Sequence, residues 1–410
     1  GSGVGFMATS LQAQTTSIAG SGLNTTISSG GTTTFIDGGT RPGAGPNLFH
    51  SFGDFSIGEG HTALFRNLTA NGSSYDGAVV HNVFGRVTGN NISNIFGTID
   101  SATNFPQANL WLLNPAGFFF GPTASLNVGG SVNISTADYL KMTDSNQFFA
   151  DASKNSVLSM EPVAAFGFLE RPTLEPTFGR ITINGTHTSP LSSLSLVGPD
   201  ILLDGAALDL SRGDFEALNT LLVASVVSGG EVQLGVPDVS PQISSGTTLG
   251  RIVLTNSRIS SGSLKEGELD GVSDVPSRMR FFGETLTMKN SVIESANFIA
   301  DAIGSIEVNL TNRLLITANS FIKTAGLGAN GGDILIRAPV VELNKGSVTA
   351  YGEFGVVGTI DISGTRVTVS DGEISSFDLD DIFGSGGDLT LNLTGGLFLG
   401  RGGHISARGR

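Results

Sequence analysis

"GDILIRAPVVELNKGSVTAYGEFGVVGTIDISGTRVTVSDGEISS", residues 332–376, decides the fold. It holds one phrase twice: Gly, a variable residue, then apolar-x-apolar, as "GDILI" at Gly332 and "GTIDI" at Gly358. The phrase recurs as "GRITI" at Gly179, "GRIVL" at Gly250, "GSIEV" at Gly304 and "GDLTL" at Gly387. Gly304, Gly332, Gly358 and Gly387 stand 28, 26 and 29 residues apart. Each interval carries further short period-two segments, such as "RLLITAN", "PVVELNKGSVTA" and "TRVTVSDGEISS". A period in the twenties with several short strands per period is the signature of a solenoid. Leucine-rich repeats would need L-x-x-L-x-L, which is absent, and a β-sandwich gives no coil-to-coil similarity. The reading is an all-β chain: a right-handed parallel β-helix of about three strands per coil. Inward Ile, Val and Leu of successive coils form one apolar column.

Composition supports this. Gly is 58 of 410 residues, about twice average usage. Charged residues are 14% and net charge is −14, so Ser, Thr, Asn and Gly fill the surface. An apolar content of 39% is enough for a core. The acidity argues against nucleic acid, which needs a Lys/Arg footprint, and against docking on anionic lipid. No apolar run approaches the length of a membrane helix, so no membrane insertion is expected. Cysteine is absent, which suits passage through an oxidising periplasm without disulfides.

Before residue 180 the register is looser. Residues 136–178 and 262–281 read as excursions, which in solenoids form loops or small lobes outside the core. N-terminal capping strands are expected. Two stretches read best as helices, "FEALNTLLVAS" (215–225) and residues 135–151. "VGFMATSLQAQ" resembles the end of a signal peptide cleaved after Ala13, so residues 1–13 read as a signal remnant or tag. The last residues, "GRGGHISARGR", begin another strand without a polar cap, and the natural protein is expected to continue.

"LLNPAGFFFGPTASLNVGGS" (112–131) places a turn directly before three phenylalanines. Asn114 suits the first position of a type I turn, Pro115 presets φ at the second, and Gly117 suits the fourth. Phe118 and Phe120 then share one strand face and Phe119 takes the other. Gly121 opens the next turn. A strand apolar on both faces is either covered on both or offered to a partner.

This block, continued as "SVNISTADYL", resembles the signature of the two-partner-secretion domain, also called the filamentous-haemagglutinin N-terminal domain. "GGTRPGAGPNLFHSFGDFSIGEGHTALFRN" (38–67), "VFGRVTGNNISNIFGTI" (83–99), "AFGFLERP" and "LSLVGPDILLDGAAL" resemble its cyanobacterial branch. The resemblance is close over residues 14–225. It implies an exported exoprotein, secreted or held at the cell surface, that crosses the periplasm of a Gram-negative-type bacterium. The implied partner is an outer-membrane POTRA-bearing β-barrel transporter of the Omp85 superfamily. Residues 14–230 would form the secretion domain, and 231–410 a repeat region serving as adhesive stalk toward glycans or proteins. Carried over, Asn114, Pro115 and Gly117 mark the secretion motif, with Phe118, Phe119, Phe120 and Gly121 as its strand. Asn47, Leu48, Phe49, His50, Asn91 and Asn94 form the secondary family block. The family's second motif, Asn-Pro-Asn-Leu, is not found; "GNNISNIF" (89–96) is the nearest block.

Other motifs carry less. Arg212-Gly213-Asp214 matches a cell-attachment tripeptide, although a turn needs Gly and Asp anyway. Gly326-x-Gly328-x-x-Gly331 leads into a strand rather than the helix a dinucleotide site requires. The five histidines have no metal-ligand spacing, and with no Cys no zinc site is expected. There is no G-x-S-x-G. Carboxylates gather at Asp378, Asp380 and Asp381, and at Asp270 and Asp274. They read as solvated turns that admit calcium but have no EF-hand or RTX pattern. No other cofactor and no catalytic residue is expected. The alternative is a β-helical polysaccharide-degrading enzyme, which needs a groove with two or more carboxylates and an Arg or Lys in reach. A scaffold without ligand is the third reading.

Overall fold

The computed structural model describes residues 15–171, 178–212, 218–235, 240–261, 277–297, 304–327, 330–353, 356–378 and 386–408. Its regular elements are strands and two short 3-10 turns, Pro42–Ala44 and Gly77–Val79.

The strands fall into three stacked columns, one strand of each per coil. The first column runs Asn47–Ser56, Asn82–Val87, Asn109–Leu113, Val132–Ser135, Ser193–Gly198 and Asn219–Ser228, then on through later coils, all in parallel register. Its inward row is continuous: Leu48, Val83, Leu110, Val132, Leu194, Leu221, Met279, Ile306, Ile334, Ile360 and Leu389 are successive register partners. All but Leu389 are buried. Burying each such side chain is worth about 1.5–3 kcal/mol, so the row is the structural spine. The pairs Ile306–Ile334, Ile334–Ile360 and Ile360–Leu389 reproduce the 28-, 26- and 29-residue repeat. The second column stacks Ser93–Ile95, Phe118–Phe120, Arg180–Asn184, Asp200–Asp204 and Arg251–Thr255. The third begins with Thr33–Gly38, Thr62–Phe65, Thr98–Asp100 and Ser125–Asn127, and resumes with Ala207–Asp209, Arg258–Ser261 and Val292–Asn297.

Two corner devices explain the repeat phrase. The glycines that open it stack where backbones nearly touch: a Cβ on Gly332, Gly358 or Gly387 would lie 1.8, 2.0 or 2.1 Å from the carbonyl oxygen of the preceding glycine in the stack. The corner between the second and third columns turns on residues at positive φ: Asn256 (48°), Asn290 (49°), the pair Ala318 (52°) and Asn319 (61°), Lys345 (55°) and Asp371 (47°). Asn and Asp tolerate that conformation because their short polar side chains bond locally.

Ser17–Gly20 pairs antiparallel with Asn47–Ser56, and Thr25–Gly30 antiparallel with Thr33–Gly38, so the capping strands are present. Residues 136–168 leave the helix and form, with Gly230–Gln233 and Gln242–Ile243, a five-stranded antiparallel sheet. That sheet covers the outward face of the first column and closes a second core of Phe49, Phe84, Trp111, Phe148, Phe166 and Phe282, among others.

Three expectations are corrected. Residues 135–151 are no helix: Tyr139–Met142 and Gln147–Phe149 are the arms of a hairpin, turning at Ser145 with φ 70°. Leu140 and Met142 face the second core, and Lys141 faces away. In 215–225, Asn219–Ser228 is a strand buried on both faces: Leu221 and Val223 enter the main core, Leu222 and Ala224 the second. Periodicity cannot separate such a continuous apolar run from a buried helix. The excursion at 262–281 ends sooner, because Ser277–Lys289 already runs in the first column. The signal remnant (1–13), residues 262–276, Gly213, Asp214, Asp270, Asp274, Asp380, Asp381 and Gly328 lie outside the described residues.

Candidate functional site

The Asn114–Gly117 turn is the corner that carries the chain from the first column to the second. Its closing bond runs from Gly117 N–H to the Asn114 carbonyl at 3.0 Å. Asn114 is fully buried. Its side-chain amide donates to the Asn91 carbonyl at 3.0 Å and to Ser93 Oγ at 2.9 Å, and its Oδ1 accepts from Ala116 N–H at 3.0 Å. Its own N–H donates to the Ser135 carbonyl at 3.0 Å. One side chain therefore shapes its own turn and ties it to the preceding coil, while its backbone holds the following strand. The amide supplies two donors and an acceptor at once, where a hydroxyl has one donor and a carboxylate none. Gly117 sits at φ 126°, and a Cβ there would lie 2.8 Å from the Arg180 carbonyl oxygen.

Phe118 and Phe120 point inward, 1% and 3% exposed, with ring centroids 6.1 Å apart. Phe119 faces out, half-buried, its ring 5.6 Å from Phe96. Gly121 makes room for that neighbour, since a Cβ would lie 2.3 Å from the Phe96 ring. Pro115 and Ala116 are half-buried. They line a cleft of about 420 Å³ that also touches Gly89, Asn90, Asp138 and Arg171. Arg171 pairs with Asp138 at 2.6 Å and lies over the Phe178 ring at 4.8 Å.

The secondary block divides. Asn91 belongs to the motif corner: its carbonyl receives Asn114, and its amide donates to Asp54 at 2.8 Å. Asn94 N–H donates to Ser56 Oγ at 3.0 Å, and its backbone pairs beside Phe119. Asn47 to His50 stand elsewhere, at the start of the first column. Buried Asn47 donates to the carbonyls of Ser159 (2.9 Å) and Glu161 (2.8 Å), pinning the extra-helical segment. Leu48 lies in the main core and Phe49 in the second. His50 is fully buried, its Nδ1 3.2 Å from Thr25 Oγ1, and burial pushes its pKa down from 6.5 to about 3. Arg212 donates to the Val128 carbonyl, so its guanidinium is committed to the frame.

A ladder escaped the sequence reading. Asn47, Asn82 and Asn109 are register partners. Asn82 donates to Asn47 at 2.9 Å and Asn109 to Asn82 at 3.0 Å. Two residues on, Phe49 stacks on Phe84 at 4.5 Å and Phe84 on Trp111 at 6.0 Å. The signal was the tripeptide Asn-apolar-aromatic, "NLF", "NVF" and "NLW", at 47, 82 and 109.

Outer faces carry charge sandwiches. Asp200 lies between Arg180 (2.6 Å) and Arg251 (2.8 Å), Glu294 between Arg258 and Lys323, and Glu342 between Arg313 and Arg366. Among the described residues no cluster of three His or carboxylates could hold a metal, and no helix is long and apolar enough to cross a membrane.

A parallel β-helix with a buried Asn-Pro-x-Gly corner and a capped N-terminal end defines the N-terminal domain of a two-partner-secretion exoprotein. The comparisons agree: the model of the TPS secretion domain matches residues 11–271, and the chain belongs to that family. Among solved structures, the chain is similar to the HMW1 secretion domain from Haemophilus influenzae. That match has a TM-score of 0.53 and 16% identity, covering 96% of this chain and 100% of that one. A filamentous hemagglutinin secretion domain aligns at a TM-score of 0.29 and 13% identity, over 93% and 99% of the two chains. No curated protein matches.

Proposed function

We propose that an outer-membrane transporter, a POTRA-bearing barrel of the Omp85 superfamily, recognises this domain in the periplasm through the exposed rim of the Asn114–Gly117 corner. Residues 14–230 act as the recognition unit. The coils of 231–410 form an adhesive stalk displayed outside the cell. One observation carries the reading: the motif is split. Asn114, Gly117, Phe118 and Phe120 are committed to the fold, while Pro115 and Ala116, which line the cleft, and Phe119, on the outer face, are half-exposed. The buried half secures early coils, and the rim is what a partner can touch. No ATP is required if coils that form outside hold the chain there, because solenoid stability accrues coil by coil.

The test is co-expression with a POTRA-bearing outer-membrane transporter of the Omp85 superfamily that exports the unaltered chain. Ala116→Arg should leave the purified fold and its stability within about 0.5 kcal/mol, as surface changes do, and Phe119→Ser, which gives up the ring contact with Phe96, should cost about 1–2 kcal/mol without unfolding the chain; both should hold the chain in the periplasm. Normal export of both variants refutes the rim assignment. The enzyme reading is not favoured. Two grooves hold a pair of carboxylates. In one, Asp371 and Glu373 have no Arg or Lys at ion-pair distance among the described residues, and Glu373 pairs with His404 at 3.0 Å. In the motif cleft, Asp138 is taken up by Arg171 at 2.6 Å and by Leu169 N–H at 2.8 Å, and Asp151 by Ser153, so both carboxylates are committed to local structure.

A further inference from the structure

The third column carries a second surface that the secretion role does not use. Its outward rows run in register: Phe321, Ser347, Glu373 and His404 across four coils in one row, Tyr351, Phe377 and the exposed Arg408 across three in another. Between them opens a groove of about 530 Å³. Successive coils are about 4.8 Å apart, so three coil steps give a groove about 14 Å long, running along the helix axis.

Its chemistry is sorted by side. Tyr351 and Phe377 form an apolar wall, with centroids 6.0 Å apart and planes 17° from parallel. Phe321, 39% exposed, stands at one end. The hydroxyls of Ser347 and Thr349 lie on the floor, and the side chains of Asn319, Lys345 and Asp371 stand on the corner side. None of these five polar side chains has a hydrogen-bond or ion-pair partner among the described residues. In earlier coils and on another face the equivalent groups are tied up: Asn290 donates to Asn256 at 2.7 Å at the same corner, and Asp200 on the second column is paired with Arg180 and Arg251. The groove's other charges are paired, Lys323 with Glu294 at 2.7 Å and Glu373 with His404 at 3.0 Å. Lys345 and Asp371, of opposite sign, occupy the same corner on successive coils.

We infer that this groove binds an uncharged oligosaccharide chain laid along the helix axis. The aromatic wall takes the C–H faces of the sugar rings. The floor hydroxyls and the corner amide, ammonium and carboxylate exchange hydrogen bonds with ring hydroxyls. Balanced charge gives a polyanion no advantage. The coil step is comparable to the advance of one ring in an extended chain, so each coil meets one residue of the ligand. This rests on the adhesive reading of the repeats, names its ligand class, and is measured without export, so either can fail alone.

The experiment is calorimetric titration of the whole chain with cellohexaose, laminarihexaose and maltohexaose, and with a heparin hexasaccharide as the charged arm. Saturable binding of at least one neutral hexamer is expected. Tyr351→Ala and Phe377→Ala should each weaken it tenfold or more. Thr349→Val, which keeps the shape and removes the floor hydroxyl, should weaken it severalfold at unchanged stability. The proposal is overturned by binding of none of the neutral hexamers, by preference for heparin, or by Thr349→Val and both aromatic variants binding as the parent does.

Discussion

Asn114→Ala tests whether the motif asparagine is a structural keystone. The substitution removes the amide's bonds to the Asn91 carbonyl and Ser93 Oγ and the Oδ1 bond from Ala116 N–H, at 2.9–3.0 Å. Each hydrogen bond is worth about 1 kcal/mol net, and a buried group left unpaired costs about 1–3 kcal/mol. Ser93 is fully buried and would lose this donor, whereas Asn91 is exposed and its carbonyl can take water. The expected loss is therefore about 2–4 kcal/mol, felt mainly in the coils the corner joins. Urea unfolding of the purified chain measures the total. Amide exchange locates it, with protection falling at 91–95 and 114–121 and unchanged beyond residue 300. A loss below about 0.5 kcal/mol would refute the structural role and leave Asn114 as a partner contact after all.

Phe84→Ala should cost about 3–5 kcal/mol, because Phe84 stacks between Phe49 and Trp111; limited proteolysis should then open the extra-helical sheet before the coils. Asp200→Asn breaks two ion pairs of a buried carboxylate, and a drop of about 1–3 kcal/mol is expected on urea unfolding. His50 gives a pH dependence. Burial lowers its folded pKa to about 3, below the ordinary 6.5, so the unfolded chain binds the proton first. Its contribution is fully present above pH 6.5 and is lost as pH falls toward 3, at up to about 1.4 kcal/mol per unit. The urea midpoint should fall between pH 7 and pH 5, and His50→Gln should flatten that slope.

The solenoid was legible because a stacked coil repeats its constraints. Gly332 and Gly358 have no room for a Cβ, and Ile334 and Ile360 fill one apolar row, so glycine and period-two pattern return together. What hid was burial by a second layer. Residues 221–224 are apolar on both faces because the antiparallel sheet covers the outer one, and a doubly buried strand has no alternation to read. The same sheet explains the missed ladder. Phe49, Phe84 and Trp111 are outward residues, and nothing local announces that outward is also inside. At the motif, turn chemistry at Asn114 and Gly117 was readable, but not that the Asn114 amide serves the coil before it, since Asn91 and Ser93 become neighbours only through coil stacking. Phe119 needed the structure outright: Phe96 covers one side of it and leaves the other open.

Photo-crosslinking during export tests the split motif most directly. A photoreactive residue placed at 116 or 119 should capture the transporter in living cells, and one placed at 114 or 118 should not. Equal capture from the buried positions 114 and 118 would show that the partner reads an extended chain, and would contradict recognition of the folded corner.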